Sequence, residues 1–157
     1  MPFDFNSIAA SNLATTGFPG KECVSPVTVT STFTSGTLNS SNSTAVTSLT
    51  VVGDGVTAVW LEFYGSDLYC STVPSVSQIG ARIFDGTIGT TLLTQSVQNI
   101  SVVNVSTGPA RVVARVAAYS GSKTFNVCLF NSTATNCVAV IDAAATFPMI
   151  FRATWAG

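Results

Sequence analysis

From Val27 onward the chain reads in twos. Val27, Val29 and Phe33 fall on one parity, and Thr28, Thr30, Thr32 and Thr34 on the other, which is the mark of a strand with one face buried and one face wet. Comparable runs follow at 46–52, 56–64, 67–73, 76–84, 87–94, 97–105, 110–119, 123–130, 136–141 and 148–155. Turn signals separate them: Gly53-Asp54-Gly55, Asp85-Gly86, Ser106-Thr107-Gly108-Pro109 and Gly121-Ser122. No segment sustains a helical period. Ala143-Ala144-Ala145 begins at most one helical turn, which Pro148 would cut off. Many short strands at this spacing imply an all-β, antiparallel β-sandwich, with the jelly roll as the favoured topology. The runs 46–52 and 56–64, joined by Gly53-Asp54-Gly55, are expected to form a hairpin.

At 157 residues the chain fits one domain and can bury a sizeable core without a metal or a disulfide. Its polarity comes without charge. Only 8% of residues are charged and the net charge is −1, while Ser, Thr and Asn together make up 50 of the 157. Such a surface is weakly protected against association, which suits a component of an assembly better than a free monomer. The six basic residues, Lys21, Arg82, Arg111, Arg115, Lys123 and Arg152, are scattered along the sequence, so no nucleic-acid partner is expected. No run approaches the length of a membrane-spanning helix, and no membrane partner is expected. The start, Met1-Pro2-Phe3-Asp4-Phe5, lacks a basic segment followed by an apolar run, so no secretory signal is expected.

Residues 1–22 show neither period and end near Gly17-Phe18-Pro19-Gly20. They are expected to form an extended N-terminal arm ahead of a sandwich domain at 23–157. Phe3, Phe5, Ile8, Leu13 and Phe18 make the arm too apolar for a purely disordered tail. It docks on a partner surface or packs along its own domain. The low-complexity stretch 39–48 is expected to be an exposed loop. The Asn-x-Ser/Thr triplets, two of them in that stretch and others at Asn99, Asn104 and Asn131, are what this composition produces by itself.

Histidine is absent, which removes Ser–His and Cys–His nucleophile pairs and the commonest transition-metal ligand. The carboxylates Asp4, Glu22, Asp54, Glu62, Asp67, Asp85 and Asp142 are dispersed, whereas glycosidase chemistry needs two at a set separation. Asp54 and Asp85 each precede Gly, where turn chemistry accounts for them. Glu62 and Asp67 flank Tyr64-Gly65 and could take a calcium ion or a sugar hydroxyl, but a solvated loop is the favoured reading. No enzymatic activity, cofactor or metal is expected. Arg111, Arg115 and Tyr119 share a parity on the run 110–119, and guanidinium groups there suit contact with carboxylates of a neighbouring subunit. Trp60 and Trp155 read as core or interface anchors first and as platforms for sugar rings second.

Cys23, Cys70, Cys128 and Cys137 lack metal-ligand spacing. Phe125, Val127 and Leu129 alternate as the core parity of 123–130, and Val138 and Val140 as that of 136–141; if the two form a hairpin with Val127 opposite Val138, Phe125 meets Val140 and Cys128 faces Cys137. Directly opposed positions lie ~4.5–5.5 Å apart at Cα, within reach of a disulfide. The expectation is a Cys128–Cys137 bridge on the face away from the core valines, or two reduced thiols if the cytosol keeps them so.

The stretches Arg82-Ile-Phe-Asp-Gly-Thr87, Val112-Val-Ala-Arg-Val116, Ser122-Lys-Thr-Phe-Asn-Val127 and Ala143-Ala-Ala-Thr-Phe-Pro-Met-Ile-Phe151 together resemble the β-rich auxiliary proteins of tailed-bacteriophage virions. The resemblance covers residues 82–157. It implies a jelly-roll module of the capsid decoration or cement type, often trimeric, made in the host cytoplasm and carried on the capsid exterior. The partner would be the major capsid protein, with the arm residues docking on the lattice and Arg111, Arg115 and Tyr119 between subunits. The alternative is a receptor-binding or glycan-binding knob of a head fibre or tail tip, reading sugars through loop residues near Tyr64, Asp67 and Tyr69.

Overall fold

A computed structural model describes residues 21–72, 77–133 and 135–156. Eleven strands are found among them and no helix. They are β1 (Val27–Val29), β2 (Phe33–Leu38), β3 (Ser43–Asp54), β4 (Val59–Gly65), β5 (Asp67–Thr72), β6 (Ser77–Asp85), β7 (Thr91–Ile100), β8 (Ala110–Val116), β9 (Ser120–Asn131), β10 (Cys137–Asp142) and β11 (Met149–Trp155).

The pairing reduces these to eight strand positions. β1 pairs with β11 and β2 with β10, while β4 pairs with β11 and β5 with β10, all antiparallel. The segments 27–38, 59–72 and 137–155 are therefore three long strands, each broken once, lying side by side. β8 closes that layer beside β4, and the second layer runs β3, β9, β6, β7. This is the jelly-roll winding: consecutive strands keep changing layer, and β6 and β7 are the one consecutive pair of described strands that hydrogen-bond to each other.

That winding corrects the expected hairpins. β3 pairs with β9, while β4 pairs with β8 and β11, so Gly53-Asp54-Gly55 is a crossing between layers. Its chemistry is still that of a turn, since Asp54 Oδ1 accepts the N–H groups of Val56 and Thr57 at 2.8 and 2.7 Å. The expected Cys128–Cys137 bridge fails for the same reason. β9 and β10 lie in different layers; Cys128 sits between Ala45 and Arg82, and Cys137 opposite Leu38. Phe125, Val127 and Leu129 do face the core, but on β10 the core parity belongs to Cys137, Ala139 and Ile141 rather than to Val138 and Val140. All four cysteines are free.

Three boundaries also differ. Only 39–42 is a turn, and the rest of the stretch 39–48 belongs to β3. Residues 87–90 form a turn, and β7 then runs unbroken to Ile100. The following connection lies along the free edge of β5, where the N–H groups of Asn104 and Thr107 donate to the Cys70 and Leu68 carbonyls at 2.8 and 3.1 Å; it covers a row of backbone groups that would otherwise invite a foreign strand. Ala144 and Phe147 exchange backbone hydrogen bonds in a tight turn, with no helical turn formed.

One cluster of buried side chains joins the layers. Leu61, Phe63, Leu68 and Phe151 meet Leu49, Val51, Ile79, Ile83, Phe125, Val127 and Leu129, with the rings of Phe63 and Phe151 edge to face at 6.5 Å. The sheet begins before β1: Trp155 N–H donates to the Lys21 carbonyl and Cys23 N–H to the Ala153 carbonyl, each at 2.9 Å. Phe3, Phe5, Ile8, Leu13 and Phe18, the expected arm contacts, lie outside the described residues.

Gly80 allows two strands to close up. A Cβ there would collide with the Ser96 carbonyl on β7 and touch the Phe130 ring. Gly80→Ala is expected to lower unfolding free energy by about 1–3 kcal/mol, read from urea denaturation. Where oxidation occurs, the register sets its product. Cys70 and Cys137 are inward-facing residues of the paired strands β5 and β10 with their thiols in contact. Peptide mapping of oxidised folded protein should recover a Cys70–Cys137 link and none joining Cys128 to Cys137.

Candidate functional site

Strand β4 alternates cleanly. Val59, Leu61 and Phe63 point into the core, so Trp60, Glu62 and Tyr64 point out. Its neighbours obey the same parity: Arg111, Val113 and Arg115 face outward from β8, and Ile150, Arg152 and Thr154 from β11. The registers align these side chains in three rows, Ile150–Tyr64–Arg111, Arg152–Glu62–Val113 and Thr154–Trp60–Arg115. At the usual strand rise and spacing, the two aromatic rows are about 13 Å apart and three strands span about 10 Å.

Glu62 organises the middle of this face. Arg111 approaches Oε1 through Nε and Nη2, each at 2.8 Å, and Arg152 approaches Oε2 through Nε at 2.9 Å and Nη2 at 2.5 Å. The carboxylate side chain is 18% exposed, whereas the arginines are 62% and 50% exposed. Partial burial by itself would raise the Glu62 pKa, but the hydrogen bonds and charges of Arg152 and Arg111 outweigh it and hold the carboxyl below its ordinary value. Trp60 and Tyr64 stand on either side at 43% and 40% exposure. Glu62, Tyr64, Ile150 and Arg152 line a shallow depression of about 240 Å³.

A second depression of about 260 Å³ lies along β5, lined by Asp67, Tyr69, Asn104, Ser106 and Asp142. Asp67 and Asp142 are directly opposed across β5 and β10. Ser106 Oγ donates to Asp67 at 2.7 Å, and Tyr69 and Thr32 hydroxyls donate to Asp142, each at 3.3 Å. Burial and the charge of Asp142 raise the Tyr69 pKa. No group of three or more His, Cys, Asp or Glu side chains is placed to hold a metal among the described residues.

The structure redistributes the expected site residues. Tyr64, Asp67 and Tyr69 lie on strands rather than loops, and Tyr64 lines one depression while Asp67 and Tyr69 line the other. Arg111 and Arg115 do share an exposed face, but Tyr119 leaves it because β8 ends at Val116. Its hydroxyl donates to the Val51 carbonyl at 3.1 Å, its ring meets Phe125 edge to face at 6.2 Å, and Lys123 Nζ lies 5.1 Å above it. Burial, then the charges of Cys23 and Asp85, push its phenol up to about 12. Tyr119 is thus committed inside its own subunit. Trp155 packs against the core, whereas Trp60 is exposed. Arg152 is the organising residue that sequence reasoning passed over, and Glu62 was tied there to Asp67 and a solvated loop rather than to the arginines; their parity with Ile150 and with Trp60 was visible, but their being neighbours was not.

No protein-family model matches the chain, and no curated protein does. Among solved structures, the CBM22-1 xylan-binding domain of Xyn10C from Paenibacillus barcinonensis aligns with 87% of this chain and 96% of its own, at 11% identity and a TM-score of 0.37. A likeness at that level bears on neither fold nor function.

The Glu62 cluster carries a pH signature. A carboxyl whose folded pKa lies below its unfolded value binds more protons in the unfolded chain, so its contribution to stability is complete above about pH 4.3 and is lost as pH falls through the lower folded value. Chemical denaturation between pH 6 and 2.5 should show Glu62→Gln with a shallower loss of stability than the parent chain.

Proposed function

We propose that the protein is a non-catalytic binding module that takes a glycan on the outer face of the β1-β11-β4-β8 sheet. The observation that carries this reading is the pair of exposed rings, Trp60 and Tyr64, flanking a fixed Arg111–Glu62–Arg152 cluster beside a shallow depression. Aromatic faces take the apolar C–H faces of sugar rings, and fixed polar groups between them read hydroxyls. Because both arginines are already positioned by Glu62, little side-chain entropy is lost when a ligand engages their free N–H groups. Backbone placement of every residue in the face comes from regular strands, which hold geometry better than loops.

A second reading, that of a capsid decoration protein clamping a lattice of major capsid protein, is favoured by a different observation. The connection after β7 exposes Val102, Val103 and Val105 together, on a chain with little charge, which suits burial against a neighbouring subunit. The readings separate cleanly. Deleting residues 1–20 should abolish co-sedimentation with empty capsids if the clamp is right, and Trp60→Ala should leave it intact.

For the glycan reading, a broad oligosaccharide array comes first and titration calorimetry second. Trp60→Ala and Tyr64→Ala are each expected to weaken binding about tenfold, the equivalent of one aromatic contact, with an unchanged melting temperature because both rings lie outside the core. Binding that survives both substitutions, or an array with no hits, would overturn the reading.

A further inference from the structure

The charges of the chain are unevenly placed. Three of its six basic residues, Arg111, Arg115 and Arg152, lie on the outer face of the sheet together with two carboxylates, Glu62 among them and Glu22 opposite Thr154 at the far end of the Trp60–Arg115 row. The described residues of this face therefore sum to one positive charge on a chain whose total is −1. In the cluster, Arg111 and Arg152 each spend Nε and Nη2 on Glu62, and a guanidinium has five N–H donors. Among the described residues, none engages the Nη1 end of either. Arg115, directly across from Trp60, makes no ion pair or hydrogen bond through its side chain to any described residue.

Resting on the glycan-binding reading, we infer that the ligand is an acidic saccharide whose carboxylate is held by Arg115 while its ring lies on Trp60. The chemistry follows from the row. A guanidinium fork matches a carboxylate with two parallel hydrogen bonds, and on neighbouring antiparallel strands a directly opposed pair lies ~4.5–5.5 Å apart at Cα, so ring stacking and carboxylate capture can be served by one sugar unit. Glu62 would repel an anion if it stood alone, but its charge is already engaged by two arginines, and Glu22 stands at the opposite end of the row from Arg115, with Thr154 and Trp60 between them. A neutral sugar would leave Arg115 without a use, and a long acidic peptide would leave the stacking ring without one. With only 8% charged residues in the chain, few other groups compete for an anion.

The test uses pairs of probes that differ in charge alone: oligogalacturonate against its methyl ester, and sialyllactose against lactose. Tighter binding of at least one acid form by tenfold or more, weakening between 50 and 300 mM salt, is the expected result, and the member of the two pairs that binds identifies uronate or sialate. Arg115→Gln should remove most of that preference while leaving the weaker affinity for the uncharged form and the melting temperature unchanged. Arg115→Lys should recover only part of it. Equal binding of acid and neutral forms would overturn the inference and leave the glycan reading standing. Absence of binding by all four probes and by an array would overturn both, and selective binding of an acidic peptide would replace the saccharide by a protein partner.

Discussion

The period of two on β4 decides the core and the binding face together. Val59, Leu61 and Phe63 can be buried only if Trp60, Glu62 and Tyr64 are presented, because successive side chains on a strand leave opposite faces. A slip of one residue would put the Glu62 carboxylate inside and Val59, Leu61 and Phe63 in water. Since β8 and β11 obey the same parity in register with β4, their outward side chains arrive as rows. The Arg111–Glu62–Arg152 cluster is thus fixed by the packing on the other side of the sheet.

The residue faces were legible in the sequence wherever alternation ran long. Phe125, Val127 and Leu129 were assigned to the core from parity alone, and Arg111 and Arg115 to a common exposed face. What parity does not contain is the identity of the neighbour. Both mistaken hairpins, β3 with β4 and β9 with β10, assumed that consecutive strands pair, whereas the jelly roll sends them to opposite layers. Cys128 would face Cys137 only in a β9–β10 pairing that does not occur. Glu62 shows the same limit from the other side. It is 49 residues from Arg111 and 90 from Arg152 along the chain, and only strand order reveals that they touch. Tyr119 was misplaced for a local reason, since its parity continues that of Arg115 although the strand stops at Val116.

Sparse charge gives the arginine cluster more weight than it would have on an ordinary surface. On a protein with a quarter of its residues charged, three arginines on one face are soon answered by nearby carboxylates. Here most of the surrounding surface is hydroxyl and amide, so the field of this face is partly offset by Glu62 and Glu22 and otherwise limited by salt, within about 8 Å at physiological ionic strength.

The near absence of paired neighbours in sequence also sets the order in which the chain can fold. β6 and β7 can close as a local hairpin, but β3 must wait for β9, because Asp54 pairs with Ser120 and Ser43 with Phe130. At about 5–20 residues per second, a ribosome would leave β3 without its partner for several seconds. Ser43–Gly53 carries no charged residue and no proline to discourage other strands in that interval. Slow synthesis or crowded expression should therefore favour aggregation through this one segment, until β9 arrives and pairs with it along its whole length.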